Sequence, residues 1–484
     1  MNNTKSLAKN TVALVFGTLV PKAVTVILTV YAARILGSAG LGQYAISTSF
    51  VGVFAVVSDL GLNTLFIREV AKHKDKTTVY FWSMAFIKGI MSAVYLMLVF
   101  LALRIFSYSS LVETTICLLA ASIVFSAFLS LVTSLFQAHE KMEYSAIIGI
   151  ANSILVTVGG IAALYMGFGV IGLGWIAILS SAIMLIVGFV LIGTQFNLGR
   201  PVVQKTFLMS IGKEAVPFAA ISILITIYYR SDMLLLSKLP VPAISNEEAV
   251  GLYSASYKII DTMQMIPGIV SAAVFPLFSR LYVQDEQVLQ SSYKRILKYL
   301  VYLGIPMAVG VSLLAEPIIK LVYGAEFILS ADVLRILIWA VAIIFVNSLI
   351  ATLLTSIGKL NVLIVVSAVN VILNVGLNLL FIPTWGFGLS YVGAALTTLI
   401  SEVVGFAIIY QYFARNLYSL GLISQIIKPL VSASVMALVV FFFKDNLLLA
   451  IGGGALVYVM VLLFIKGFDD EDQKILFTLV NKPV

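Results

Sequence analysis

Apolar residues come along this chain in long blocks rather than at alternate positions. Fourteen blocks stand out, at roughly residues 11 to 33, 44 to 66, 79 to 103, 113 to 137, 144 to 166, 170 to 193, 214 to 237, 251 to 279, 299 to 322, 333 to 357, 361 to 382, 388 to 413, 426 to 443 and 447 to 465. Each is close to the roughly 20 residues that carry an α-helix across a bilayer. The connections are short and polar, and the longest, around 194 to 213 and 280 to 298, read as linkers or surface helices. The pattern predicts an all-α integral membrane protein with fourteen transmembrane helices.

Composition agrees: 61% of residues are hydrophobic and 11% charged, against roughly 25% charged in soluble domains. Threading the spans alternately from an inside N-terminus puts about 20 Lys and Arg on cytoplasmic segments and about 5 on outer ones. The inner clusters include Arg68 to Lys76, Arg200 with Lys205 and Lys213, and Arg280 with Lys294, Arg295 and Lys298. Both termini are therefore expected inside, and basic inner loops account for the net charge of +8 without a nucleic-acid partner. Lys5 and Lys9 precede an apolar stretch that runs on past Lys22, which predicts a retained first helix rather than a signal peptide. The chain has no GxxxxGK[ST] motif, so it carries no phosphate-loop ATPase of its own. The single Cys117 and the distant His73 and His139 show neither a disulfide framework nor metal-ligand spacing. No cofactor or metal is expected.

Short matches recur in order. GQYAIS (Gly42 to Ser47) and GLYSAS (Gly251 to Ser256) share Gly-x-Tyr-x-x-Ser. Lys141 and Asn152 recur as Lys359 and Asn370, and the Gly-Phe-Gly at 167 to 169 recurs at 386 to 388. Matches in the same order at nearly constant spacing predict that spans 1 to 6 and 7 to 12 are copies. Six crossings return the chain to its starting side, so the copies are parallel and the transport path is expected between them. The expected divisions are an N-lobe over 1–205, a C-lobe over 206–415, and two extra C-terminal spans with a tail over 416–484.

Ionisable residues at bilayer depth cost roughly 2.5 to 3.5 kcal/mol on insertion scales, so they mark protein interiors or wet cavities. Lys88, Arg335 and Glu402 are assigned to span ends or to snorkelling. The remaining charges lie on spans 1, 2, 7 and 8: Lys22, Asp59, Arg230, Asp232, Lys258 and Asp261. Lys258 and Asp261, at i and i+3, share a helix face, whereas Arg230 and Asp232, at i and i+2, diverge. Structural ion pairs would explain these residues one by one. As a group, three cations suit an anionic ligand, and Asp59, Asp232 or Asp261 suits a coupling proton or sodium ion. Pro21, Pro217, Pro267 next to Gly268, and Pro276 mark kinks or hinges in the same spans.

The segments RILGSAGLGQYAIS, SDLGLNTLFIREVAK, YYRSDMLLLSK and EEAVGLYSASYKIID resemble the polysaccharide-transporter branch of the multidrug, oligosaccharidyl-lipid and polysaccharide exporter superfamily, and the similarity covers essentially the whole chain. The resemblance implies two six-helix lobes around a central cavity lined by spans 1, 2, 7 and 8. It implies an isoprenoid-diphosphate-linked oligosaccharide moved to the outer leaflet by alternating access. Lys22, Arg230 and Lys258 would then bind substrate, with Arg68 and Glu69 at the inner end of span 2. The expected setting is a prokaryotic plasma membrane, with membrane lipids and glycan polymerases or glycosyltransferases as partners. A cation-coupled multidrug antiporter and a peptidoglycan-precursor flippase are the alternatives. A membrane enzyme would present catalytic residues on a sizeable outer loop, which this chain lacks, and a non-transporting scaffold stays open.

Overall fold

The computed structural model describes residues 2–417, 421–469 and 472, with the side chains at 2–15, 205–206, 208–214, 216–218 and 422–423 outside that description. Among the described residues every regular element is helical: α1 (Asn2–Ala55), α2 (Leu62–Lys72), α3 (Thr77–Ile105), α4 (Ser110–Ala138), α5 (Met142–Tyr165), α6 (Gly169–Gln195), α7 (Lys205–Leu236), α8 (Asn246–Met263), α9 (Met265–Gln284), α10 (Glu286–Leu313), α11 (Ala315–Val322), α12 (Ser330–Ser356), α13 (Leu360–Phe381), α14 (Ser390–Asn416), α15 (Leu422–Phe442) and α16 (Leu447–Phe464), with short 3-10 turns between some of them. Among the described residues thirteen stretches are long and apolar enough to cross a membrane, and the first, Phe16–Lys72, has 57 residues. At about 1.5 Å per residue it would reach about 85 Å, nearly three times the ~30 Å hydrocarbon core. It is two crossings, which makes fourteen.

The backbone shows where they divide. Gly37 has φ 70° and ψ −174°, a combination essentially restricted to glycine. The second crossing is itself interrupted. After Ala55 a 3-10 turn spans Val56–Ser58, then Leu60 (φ 46°) and Gly61 (φ 78°) are left-handed before α2 begins. Of the expected hinges, Pro21 lies within α1, the side chain of Pro217 lies outside the described residues, and buried Pro267 follows the α8/α9 break at Gln264.

The chain packs as two compact units, residues 1–255 with 371–394, and residues 256–370 with 395–484. These are defined by packing, whereas the expected lobes follow the repeat. α7, most of α8 and the second half of α13 accordingly belong to the first unit. In that unit, small residues bring helices together where lipid supplies no hydrophobic drive. A β-carbon on Gly160 of α5 would lie 2.8 Å from Leu28 of α1, and one on Gly174 of α6 would lie 2.9 Å from Leu118 of α4. The two Gly-x-Tyr-x-x-Ser glycines also meet there. A β-carbon on Gly42 would lie 1.6 Å from the Glu247 carbonyl oxygen, and one on Gly251 would lie 1.8 Å from that of Ser38. The repeated motif is thus a backbone-to-backbone crossing. In the second unit, α15 and α16 close on α10 around Tyr302, Met436, Val440 and Leu462, and the Tyr458 hydroxyl donates to the Tyr302 carbonyl at 2.8 Å.

The crossing leaves no space for a side chain, because the obstructing atoms are main chain. Gly42→Val and Gly251→Val are each expected to destabilise by about 2 kcal/mol or more. Gly89, with nothing within 4 Å of an added β-carbon, serves as the control, and Gly89→Ala should be neutral or stabilising. Thermal unfolding of the purified variants in detergent measures the difference.

Candidate functional site

Asp232, in the penultimate turn of α7, is only 4% exposed. Its carboxylate accepts hydrogen bonds from the Tyr253 hydroxyl of α8 (2.6 Å) and from the side-chain amides of Asn374 (3.0 Å) and Asn378 (2.6 Å) of α13. The Ser231 hydroxyl donates to Asn374 Oδ1 at 2.7 Å, and the Asn378 amide donates to the same oxygen at 3.2 Å. All of these side chains are buried, and Asn378 Oδ1 is a buried acceptor with no hydrogen-bond donor. The donors in these bonds are neutral groups converging on one acid. Sequence reasoning found the acid and missed the asparagines. Their signal was Asn370, Asn374 and Asn378 at i, i+4 and i+8, one polar stripe on an apolar helix.

Arg230 diverges from this cage, as the i, i+2 spacing requires. It is half-buried and makes no hydrogen bond or ion pair among the described residues. Its guanidinium lies along α1 at Gly52, where an added β-carbon would come 3.2 Å from Nε. An isolated cation at bilayer depth is tolerable only where it reaches water.

Lys88 corrects an expectation. It does not sit at a span end or snorkel: it is fully buried in α3, with Nζ 3.0 Å from Asp59 Oδ1 and 3.3 Å from the Ser130 hydroxyl of α4. Glu402 departs in the same way, lying buried in the body of α14, where it accepts from the Asn347 amide at 3.3 Å. Arg335 does occupy a helix start, paired with Asp332 at 2.7 Å. Asp59 stands at the interruption of the second crossing, with 40% of its side chain exposed.

The other expected residues are more open. Lys22 is exposed on α1 and unpaired among the described residues. Lys258 and Asp261 share one helix face and approach to 3.8 Å, as their spacing requires. Arg68 Nε contacts Glu69 at 2.9 Å, and Glu69 also accepts from Lys72 at 3.3 Å, at the end of α2. Among the described residues of the first unit, the structure joins Asp232 to a cage and Asp59 to a buried lysine, and leaves Arg230 and Lys22 without such partners.

The family model described as "Polysaccharide biosynthesis protein" matches residues 7–282, more than half of the chain. The model for "Lipid II flippase MurJ" matches residues 249–462. The chain is 23% identical over 461 residues to the probable low-salt glycan biosynthesis flippase Agl15 of Haloferax volcanii, covering 93% of this chain and 94% of that protein. In fold it is similar to a lipid II flippase MurJ in an inward closed conformation, with a TM-score of 0.78, 16% identity, and coverage of 94% of this chain and 99% of that one. An inward-facing multidrug resistance transporter of the MATE family follows at a TM-score of 0.67, with 15% identity over 84% of this chain and 98% of that one. The chain belongs to the polysaccharide biosynthesis protein family, in the polysaccharide-flippase branch of the multidrug, oligosaccharidyl-lipid and polysaccharide exporter superfamily.

Proposed function

We propose that this protein is a flippase that carries an isoprenoid-diphosphate-linked oligosaccharide from the cytoplasmic to the outer leaflet of a prokaryotic plasma membrane, by alternating access. The observation that carries this reading is Arg230, a guanidinium unpaired among the described residues in an apolar span of a chain whose similar proteins include a glycan biosynthesis flippase. A diphosphate offers such a group charge-assisted, bidentate hydrogen bonds. Binding then relieves the cost of holding the cation without a counter-charge. Lys22 lies in the same unit as Arg230 and adds a second cation there, while Lys258, in the other unit, shares its charge with Asp261. Arg68 and Glu69 act at the inner end of the second span, and Pro21, Pro217 and Pro267 lie where their spans would flex. Glycosyltransferases would supply the cargo and a glycan polymerase would receive it. The protein acts as a transporter rather than as an enzyme.

The Asp232 cage supports cation coupling. The donors that reach it include a phenol and two amides, and the buried Asn378 Oδ1 offers a second oxygen beside it. A sodium ion or a proton would find there the oxygens it needs. A second reading, a peptidoglycan-precursor flippase, is favoured by the family model over residues 249–462. It changes the cargo but not the part played by Arg230.

Glycan export separates these readings. In cells making the protein at normal levels, Arg230→Ala is expected to abolish export, and Arg230→Lys to reduce it at least about tenfold, since a point charge cannot replace the bidentate fork. Unchanged export in both removes Arg230 from the mechanism. Growth of a strain depleted of its peptidoglycan-precursor flippase, rescued by this chain, would select the second reading.

The coupling proposal predicts that sodium ions raise the melting temperature of the wild-type protein, as any ligand confined to the native state does. Asp232→Asn should abolish that response while the protein still unfolds cooperatively. A wild-type melting temperature indifferent to sodium removes sodium coupling at Asp232.

A further inference from the structure

Asp59 holds a position that the binding of a diphosphate does not use. It lies in the interruption of the second crossing, where the 3-10 turn Val56–Ser58 and the left-handed Leu60 and Gly61 replace regular helix. One carboxylate oxygen is taken by Lys88, whose ammonium is wholly buried and also touches Ser130. Ser130 in turn accepts from the Asn63 amide at 3.1 Å, so α2, α3 and α4 all brace the same group. The acid is thus fixed from behind while 40% of its side chain stays exposed. An exposed carboxylate within a membrane-spanning stretch cannot face hydrocarbon, so this face of the first unit meets water. Lys88, 3.0 Å away, also neutralises it, which disfavours a metal cation and does not repel a diphosphate. What remains is a fixed, strong hydrogen-bond acceptor.

Its place along the span gives that acceptor a use. Gly52, where the Arg230 guanidinium lies, is seven residues before Asp59. The end of α1 and the 3-10 turn separate them along the span, a distance on the order of 10 Å. A headgroup held at Arg230 therefore has its first sugars within reach of Asp59.

Resting on the flippase reading above, we propose that Asp59, positioned by Lys88, Ser130 and Asn63, is a hydroxyl-recognising subsite for the sugar portion of the cargo. Hydroxyl groups donate to the open carboxylate oxygen, and the buried lysine holds the acid in place. Arg230 reads the anion and Asp59 reads the carbohydrate.

Two probes test this in protein reconstituted into nanodiscs: an isoprenyl diphosphate without sugar, and the same lipid carrying a short neutral oligosaccharide. The wild type should bind the sugar-bearing lipid more tightly. Replacing the pair together, Asp59→Ala with Lys88→Met, avoids stranding a buried ammonium. That variant should lose about tenfold in affinity for the sugar-bearing lipid, the worth of a hydrogen bond to a charged group. Its affinity for the bare lipid should be unchanged, whereas Arg230→Ala should weaken both probes alike. The subsite is overturned if the wild type binds both lipids equally, or if the double variant loses both alike or neither. Wild-type protein that binds neither probe overturns the flippase reading itself.

Discussion

The constraint on which this structure depends is the cost of leaving a polar group alone in a medium without water. The first unit meets it in three ways. Lys88 is dry and takes its counter-charge from Asp59 and a hydroxyl from Ser130. Asp232 is nearly as dry and draws on amides and a phenol. Arg230 takes no partner among the described residues and must reach water. Each solution leaves a different chemistry available. An ion pair is spent, a hydrogen-bonded carboxylate keeps its donors fixed, and a guanidinium without a counter-charge among the described residues stays open to an anion.

Sequence reading reached as far as the signals that depend on length and charge. Fourteen crossings were legible because hydrocarbon thickness sets span length, and one 57-residue stretch separates into two at Gly37. The equal faces of Lys258 and Asp261, and the divergence of Arg230 from Asp232, followed from helical spacing alone. Lys88 was misplaced because a long side chain near a span end is free to snorkel by length, and only tertiary structure shows the Asp59 and Ser130 that draw it inward. Asn374 and Asn378 were passed over because an uncharged amide barely disturbs a hydropathy profile. The interruption at Asp59 was written in Asp-Leu-Gly, yet Leu60 at φ 46° is a conformation that no propensity assigns to leucine.

The repeated motif shows what packing holds fixed and what chemistry leaves free. Gly42 and Gly251 lie against each other's main chain, so neither position admits a side chain. The asparagine stripe behaves differently. With the spacing that relates Asn152 to Asn370, Asn374 and Asn378 correspond to Val156 and Gly160. Gly160 packs on Leu28, and α5 offers no amide at either place. The polar cage therefore exists on one copy only.

That asymmetry follows from energetics. A buried acid requires several donors placed together, and a partial cage is worse than none because each orphaned group keeps its desolvation cost. A copy that lacks two amides gains nothing from an acid and is better filled with apolar side chains. On the proposed reading the two tasks separate along the chain, with coupling at the Asp232 carboxylate of α7 and recognition of the cargo's sugars at Asp59 in the interrupted second crossing. A carboxylate cannot serve both tasks equally, since the ammonium that fixes Asp59 as an acceptor also removes the charge that a cation would seek.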